Sequence, residues 1–233
     1  WSHLELQRYF GYRGILNRDT AQEVWEICNA KLQDSSMSAQ NLIKQSHVKL
    51  LCTTDDPIDD LKWHKIIKEE ESFDVQVLPT WRPDRILNIE KSDYLDYLKE
   101  LSKSADMEIQ NFQDLKKAMR KRMEYFKSMG CCISDHGLTY MVYIPVKENE
   151  IERIFSARLY NKKISLRDTA KFKTACMVFL AEEYEKLNWV MQLHYGCKRD
   201  NNRKMYKKIG ADTGFDCIGD IASGTELVDF LNA

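Results

Sequence analysis

Four hydrophobic runs of strand length in this sequence each end in titratable side chains. WVMQLHYG (189–196) runs into His194, and HVKLLCTTDDP (47–57) runs into Asp55 and Asp56. FDVQVLPTWRPD (73–84) runs into Arg82, and GCCISDHG (130–137) into Asp135 and His136. A histidine at the C-terminal end of such a strand can bind a metal, hold a metal-bound water or transfer a proton; the plain alternative for His194 is a satisfied core histidine. One of Asp135 and His136 should face the mouth of the fold and the other point away. Arg82 has the planar fork for a bidentate clamp on a carboxylate, against the alternative of a surface arginine stacked on Trp81. Asp55 and Asp56, just before Pro57, suit a metal site or the N-terminal cap of a helix equally well. Lys68–Glu71 reads as a solvated helix end, and the basic stretch Lys198–Lys208 as a local patch too small to argue for nucleic acid.

These residues need strands and helices in alternation to position them. Residues 1–45 are helical in pattern, with Thr20 and Glu23 resembling a capping box ahead of Ala21–Leu32 and a short helix over Ser38–Gln45. The rhythm then changes to strand, loop, helix. Strands are expected at His47–Thr53, Asp74–Pro79, Cys131–Ser134 and Trp189–Leu193. Between them lie a helix opened by Pro57 and helices over Ser92–Ser102, Phe112–Met129 (stopped by Gly130), Lys147–Leu159 and Ser165–Leu187, the last with Ser165 and Asp168 as a capping pair. Four such units imply parallel strands, half of a closed eight-stranded barrel. The expected class is α/β, a partial (β/α)8 TIM-type barrel over 46–233 preceded by an all-helical segment over 1–45.

Composition narrows the function. A net charge of −1 gives no reason to expect nucleic acid or an anionic membrane as partner. No apolar run approaches the ~18 residues needed to cross a bilayer. Seven cysteines lack zinc-type spacing and imply reduced thiols in a cytoplasmic protein. There is no GxGxxG, Walker loop, GxSxG elbow or HxH pair, so this chain cannot by itself complete a typical barrel metal site. The opening at Trp1 within a helical pattern and the close at LVDFLNA suggest an interior piece of a longer chain.

Taken together, HLELQRYFG (3–11), LIKQSHVKLLCTTDDPIDDL (42–61), VLPTWRPDRILNIE (77–90), ISDHGL (133–138), WVMQLHYG (189–196) and GADTGFDCIGD (210–220) closely resemble uronate isomerase. The resemblance is collinear over essentially the whole chain, and its motifs are specific as a set. It implies a member of the amidohydrolase superfamily of metal-assisted barrels that interconverts D-glucuronate with D-fructuronate, and D-galacturonate with D-tagaturonate, in hexuronate catabolism. Residues 1–45 would belong to a helical insertion, followed by barrel strands two to five. Matching motifs carries over Arg82 as a substrate-binding residue, with Asp135 and His194 as catalytic ones. His194 would hydrogen-bond a metal-bound water or hydroxyl, and Asp135 would orient a hydroxyl or shuttle a proton. A divalent metal, zinc by resemblance, would be ligated by residues outside this chain, which alone would be inactive. The implied partner is a small hexuronate, and a homo-oligomeric full-length enzyme is open. CKRDNNR (197–203) departs from the asparagine string usual in the family. The competing readings are a hydrolase of the same superfamily and, for a chain complete as it stands, a non-catalytic α/β binding module.

Overall fold

In the computed structural model, which describes residues 1–233, the four hydrophobic runs form β1 (Leu50–Cys52), β2 (Gln76–Leu78), β3 (Ile133–Leu138) and β4 (Val190–Tyr195). β1 pairs with β2, and β3 pairs in parallel with β4. Parallel bridges at Asp55–Trp81 and Trp81–Ser134 connect the strand ends beyond these sheets. Trp81 N donates to Ile133 O (3.1 Å), and Trp81 O accepts from Asp135 N (2.9 Å). The third strand runs four residues further than its apolar stretch, with Asp135 and His136 inside it and not beyond it. Backbone pairing with β4 continues through Leu138–Tyr195, and both polar side chains find partners, so polarity does not end the strand.

The chain divides into two units, Trp1–Leu51 with Ile66–Val77 and Cys52–Lys65 with Leu78–Ala233. The smaller unit is helical before β1. Ser2–Glu5 (α1) continues into a π-helical turn at Leu6–Phe10, followed by α2 (Ala21–Leu32) and α3 (Ala39–Gln45). Ser38 caps α3 by accepting from Asn41 N. Thr20 does not cap α2. Its hydroxyl donates to Ile15 O (2.6 Å) and accepts from Asn17 N (3.0 Å), so the expected capping box is replaced by a turn that precedes the helix.

The larger unit carries the main core. After β1 come α4 (Lys62–Lys68), α5 (Asp84–Leu87), α6 (Tyr94–Ala105), α7 (Phe112–Ser128), α8 (Glu148–Leu159) and α9 (Leu166–Leu187). Pro57 does not open α4, which starts five residues later. The aspartates around it make turns instead: Oδ1 of Asp56, Asp59 and Asp60 accept from Ile58, Leu61 and Lys62 N. Asn111 and Ser165 cap α7 and α9, and Glu152 adds its carboxylate to the exposed N–H groups of Phe112 and Gln113. Gly130, at φ +94°, makes the left-handed step that ends α7. Phe112, Phe155, Phe172 and Tyr94 pack together, with the Phe155 and Phe172 rings stacked at 6.0 Å. Beyond β4 follow a two-residue strand pair, β5 (Cys197–Lys198) with β6 (Cys217–Ile218), and the helices α10 (Arg203–Ile209) and α11 (Gly224–Leu231). All seven cysteines are unpaired, and no helix is long and apolar enough to cross a membrane.

Two buried arginines brace the loops between these elements. Arg122 donates to the carbonyls of Pro57 (2.7 Å), Asp59 (2.7 Å) and Ser104 (3.1 Å). Arg158 donates to those of Ile89 (2.9 Å) and Lys91 (2.7 Å) and to Asn161 Oδ1 (2.9 Å). Truncating Arg158 would leave buried carbonyls without donors as well as removing side-chain packing. Arg158→Ala is expected to cost about 2–4 kcal/mol, read as a lowered urea midpoint. A midpoint equal to wild type would show that the Ile89–Lys91 loop holds its place without this brace.

Candidate active site

The site is assembled by the period of two along paired strands. In the β3–β4 register Asp135 lies opposite Gln192, and Gly137 opposite His194. These four residues therefore share one face. The other face carries His136, opposite Leu193, and is covered by α9. On β4 this alternation is visible in exposure: Met191 and Leu193 pack on the core while Val190, Gln192 and His194 are exposed. Where β2 runs on to bridge β3, Trp81 is fully buried with its ring edge-on to Phe126 of α7 (5.2 Å), which turns the next residue, Arg82, to the opposite side.

Arg82, Asp135 and His194 are brought together. Asp135 Oδ1 accepts from Gln192 Nε2 (3.2 Å) and lies 3.0 Å from His194 Nε2, while Oδ2 meets Arg82 Nη1 (3.3 Å). Arg82 Nε donates to Asp84 Oδ2 (2.8 Å), and both oxygens of Asp84 lie 3.2 Å from Gly137 N. Burial opposes the charge on Arg82, but the hydrogen bond and charge of Asp84, reinforced by Asp135 and Asp212, raise its pKa above the ordinary arginine range. Arg82 is an ion-paired member of the cluster and not a surface arginine stacked on Trp81.

Asp84, Gly137 and Gln192 join the cluster beside the three residues expected there. Their signals were present in the last residues of TWRPD and SDHG, and in the residue two before His194, which a strand must place on the same face. Gly137 is required by space: a Cβ there would stand 2.5 Å from Arg82 Nη2 and 3.0 Å from both Asp84 Oδ2 and His194 Cε1. The cluster opens on a cleft of about 660 Å³ whose walls include Thr54, Asp56, Arg85 and Arg199.

The acidic pair splits. Asp55 is buried, and its Oδ2 accepts from Thr53 Oγ1 (2.6 Å) and Thr80 N (3.0 Å). His64 Nε2 lies 2.7 Å from Thr53 Oγ1. Asp55 thus joins the ends of β1 and β2 and caps no helix, because the helix starts at Lys62. Asp56 remains on the cleft. No group of three or more His, Cys, Asp and Glu side chains in the chain could hold a metal ion.

His136 points away from the cleft, as one member of the Asp135–His136 pair had to. It is fully buried, and its Nε2 lies 3.1 Å from the Tyr184 hydroxyl. Burial first, then the charges of His194 and Arg82, push its pKa down to about 3.

Parallel strands whose C-terminal ends gather opposite charges around a cleft define an α/β protein with a candidate site at those ends. The sequence profile of the glucuronate isomerase family matches residues 1–233, and the chain belongs to that family. It is 58% identical over 233 residues to a uronate isomerase of Lachnospira eligens and 55% identical to one of Endomicrobium trichonymphae. Both alignments take in all of this chain and 50% of the relative, so the chain spans about half the length of the curated relatives it matches. The crystal structure of a uronate isomerase from Thermotoga maritima superposes with a TM-score of 0.91 at 33% identity, over 100% of this chain and 51% of that one. A glucuronate isomerase from Caulobacter crescentus gives 0.89 over 100% of this chain and 48% of that one, and at 21% identity it speaks for the fold alone.

The burial of His136 has a consequence for acid stability. An unfolded histidine titrates near ~6.5. Between there and about 3 the unfolded chain binds a proton that the folded chain does not. The stability contributed by neutral His136 is therefore whole above pH ~6.5 and lost as pH falls, with a limiting slope of about 1.4 kcal/mol per pH unit. The urea midpoint should drop between about pH 7 and about pH 5, and His136→Gln should flatten that drop. An equal slope in the variant would assign the acid sensitivity to other groups.

Proposed function

We propose that the protein carrying this chain is an aldose–ketose isomerase that interconverts D-glucuronate with D-fructuronate, and D-galacturonate with D-tagaturonate. The observation that carries this reading is the Arg82–Asp135–His194 cluster at the strand ends, in a chain that matches the glucuronate isomerase family throughout. We also propose that β1 to β4 are strands two to five of a (β/α)8 barrel, with residues 1–45 in a helical insertion and 46–233 in the barrel. Consecutive pairing in one sense, intervening helices and the exposed Val190–Gln192–His194 face of β4 support it. The unpaired thiols suit the proposed cytoplasmic location, where cysteines stay reduced.

The isomerisation moves a proton between C2 and C1 through an enediol, while hydrogen passes from one oxygen to the other. It needs a proton carrier, a device to stabilise negative oxygen and a grip on the distant carboxylate. The resemblance implies a divalent metal, zinc foremost, with its ligands outside this chain. The residues present here do not form a site for it, since Asp135 and His194 face each other at 3.0 Å and no third ligand joins them. No step below passes through a metal.

Asp135 orients His194. With Oδ1 3.0 Å from Nε2, the charge of the carboxylate favours a proton on that nitrogen, which would leave Nδ1 as an acceptor for the proton of a substrate hydroxyl. Arg82 has Nε and Nη1 committed to Asp84 and Asp135, which leaves Nη2 as the donor for a substrate oxygen. The two carboxylates hold the guanidinium plane in place before substrate arrives, so little orientation is lost on binding.

Hexuronate turnover by the complete gene product tests this reading, and failure of the wild type to convert any hexuronate would overturn it. Arg82→Lys keeps the charge but loses the fork, and should lower kcat/KM by about 10²-fold or more. A lysine variant as active as wild type would remove Arg82 from substrate binding. Gly137→Ala adds only a methyl group among three side chains. It should leave the urea midpoint close to wild type while lowering kcat on the order of 10²-fold, by displacing Arg82 and His194. Full activity in that variant would show that the cluster tolerates displacement.

A further inference from the structure

The cleft has a second polar wall that the cluster does not use. Asp56 lies on it, with one carboxylate oxygen fully engaged: Oδ1 accepts from Ile58 N (3.1 Å) and from the Tyr97 hydroxyl (2.9 Å). Tyr97 is itself fixed, being 1% exposed with the Arg85 guanidinium 4.2 Å above its ring. Asp56 Oδ2 has no hydrogen-bond or ion-pair partner. A carboxylate oxygen accepts up to two hydrogen bonds, and leaving one unmet in a half-desolvated cleft is unfavourable. Burial raises the pKa of Asp56, against the hydrogen bonds from Ile58 and Tyr97 and the charge of Arg85.

The ligand that meets this oxygen must bring a donor. A carboxylate or carbonyl group would be repelled, and a divalent cation would find no set of three ligands here. A sugar hydroxyl supplies a directional donor, and a hexuronate carries several along its chain. We propose that Asp56 is a further substrate-binding residue, its Oδ2 accepting a hydrogen bond from a hydroxyl of the substrate's polyol chain while Tyr97 braces the carboxylate. This rests on the hexuronate reading and adds to it a residue that recognises the hydroxyls of the sugar and not its carboxylate.

The test uses the complete gene product with D-glucuronate and its 3-deoxy and 4-deoxy analogues. Asp56→Asn should raise the KM for D-glucuronate roughly ten- to a hundredfold, the size of a hydrogen bond to a charged group, with kcat within about threefold of wild type. The deoxy analogue that lacks the recognised hydroxyl should lose kcat/KM on the wild type and lose no more on Asp56→Asn. Tyr97→Phe removes the brace without touching the carboxylate and should raise KM severalfold. Unchanged KM in a folded Asp56→Asn protein, or further losses for every analogue on that variant, would overturn the proposal. If Asp56→Asn does not fold, Tyr97→Phe decides, and an unchanged KM there overturns it. A wild type that turns over no hexuronate would instead sink the isomerase reading itself.

Discussion

The site depends first on the register of β3 against β4. With Asp135 opposite Gln192 and Gly137 opposite His194, the residues that meet the cleft lie on one face and His136 lies on the other. A slip of one residue would exchange the two sets, placing Asp135 under α9 and His136 in the cleft. Side chains on the helix-covered face oppose that slip. Ser134 and His136 are fully buried, Met191 and Leu193 pack on the core, and Tyr184 reaches His136. The packing of the outer face is thus what holds the chemistry of the inner one.

Charge balance is the second constraint. Arg82 stands between Asp84 and Asp135, and each carboxylate also accepts from a neighbouring strand or its end, Gly137 N for Asp84 and Gln192 for Asp135, with His194 Nε2 3.0 Å from the latter. Every charge in the cluster is satisfied without substrate, yet the arrangement leaves Arg82 Nη2 uncommitted. In the substrate-binding role proposed for Arg82, ordering the guanidinium beforehand would spare the entropy of ordering it on binding. The missing side chain at Gly137 is what allows the side chains of Arg82, Asp84 and His194 to converge there, and only glycine meets that demand at an ordinary backbone angle.

Much of this was legible in the sequence, for reasons that differ from element to element. The start of α9 announces itself by Ser165 and the end of α7 by Gly130, because capping groups act within a few residues of the backbone they satisfy. Arg82, Asp135 and His194 meet because the ends of parallel strands lie together; as a set they were singled out by the family resemblance, which implies one end of the fold for all three. Signals that need a partner misled. Thr20 with Glu23 has the spacing of a capping box, but Ile15 and Asn17 capture the threonine hydroxyl. Pro57 has the look of a first helical turn, yet the side chains of Asp56, Asp59 and Asp60 close turns until Lys62. For Arg122 and Arg158 nothing local in sequence tells that loop carbonyls tens of residues away will bury them. Strand β3 outran its apolar stretch because a parallel partner rewards the backbone regardless of side-chain polarity.

The fate of the acidic pair joins these threads. Adjacent residues on an extended chain point to opposite sides, so Asp55 and Asp56 could never serve one metal or one helix cap together. Asp55 goes to the buried side, where Thr53, Thr80 and the neighbouring His64 make it a tie between the ends of two strands. Through its carbonyl it also receives Arg82 N at 2.9 Å, so the same residue sets the backbone from which the guanidinium reaches the cleft. Asp56 goes to the open side with one oxygen held and the other free. One half of the pair therefore builds the site and the other faces it, a division of labour that follows from strand geometry before any ligand is considered.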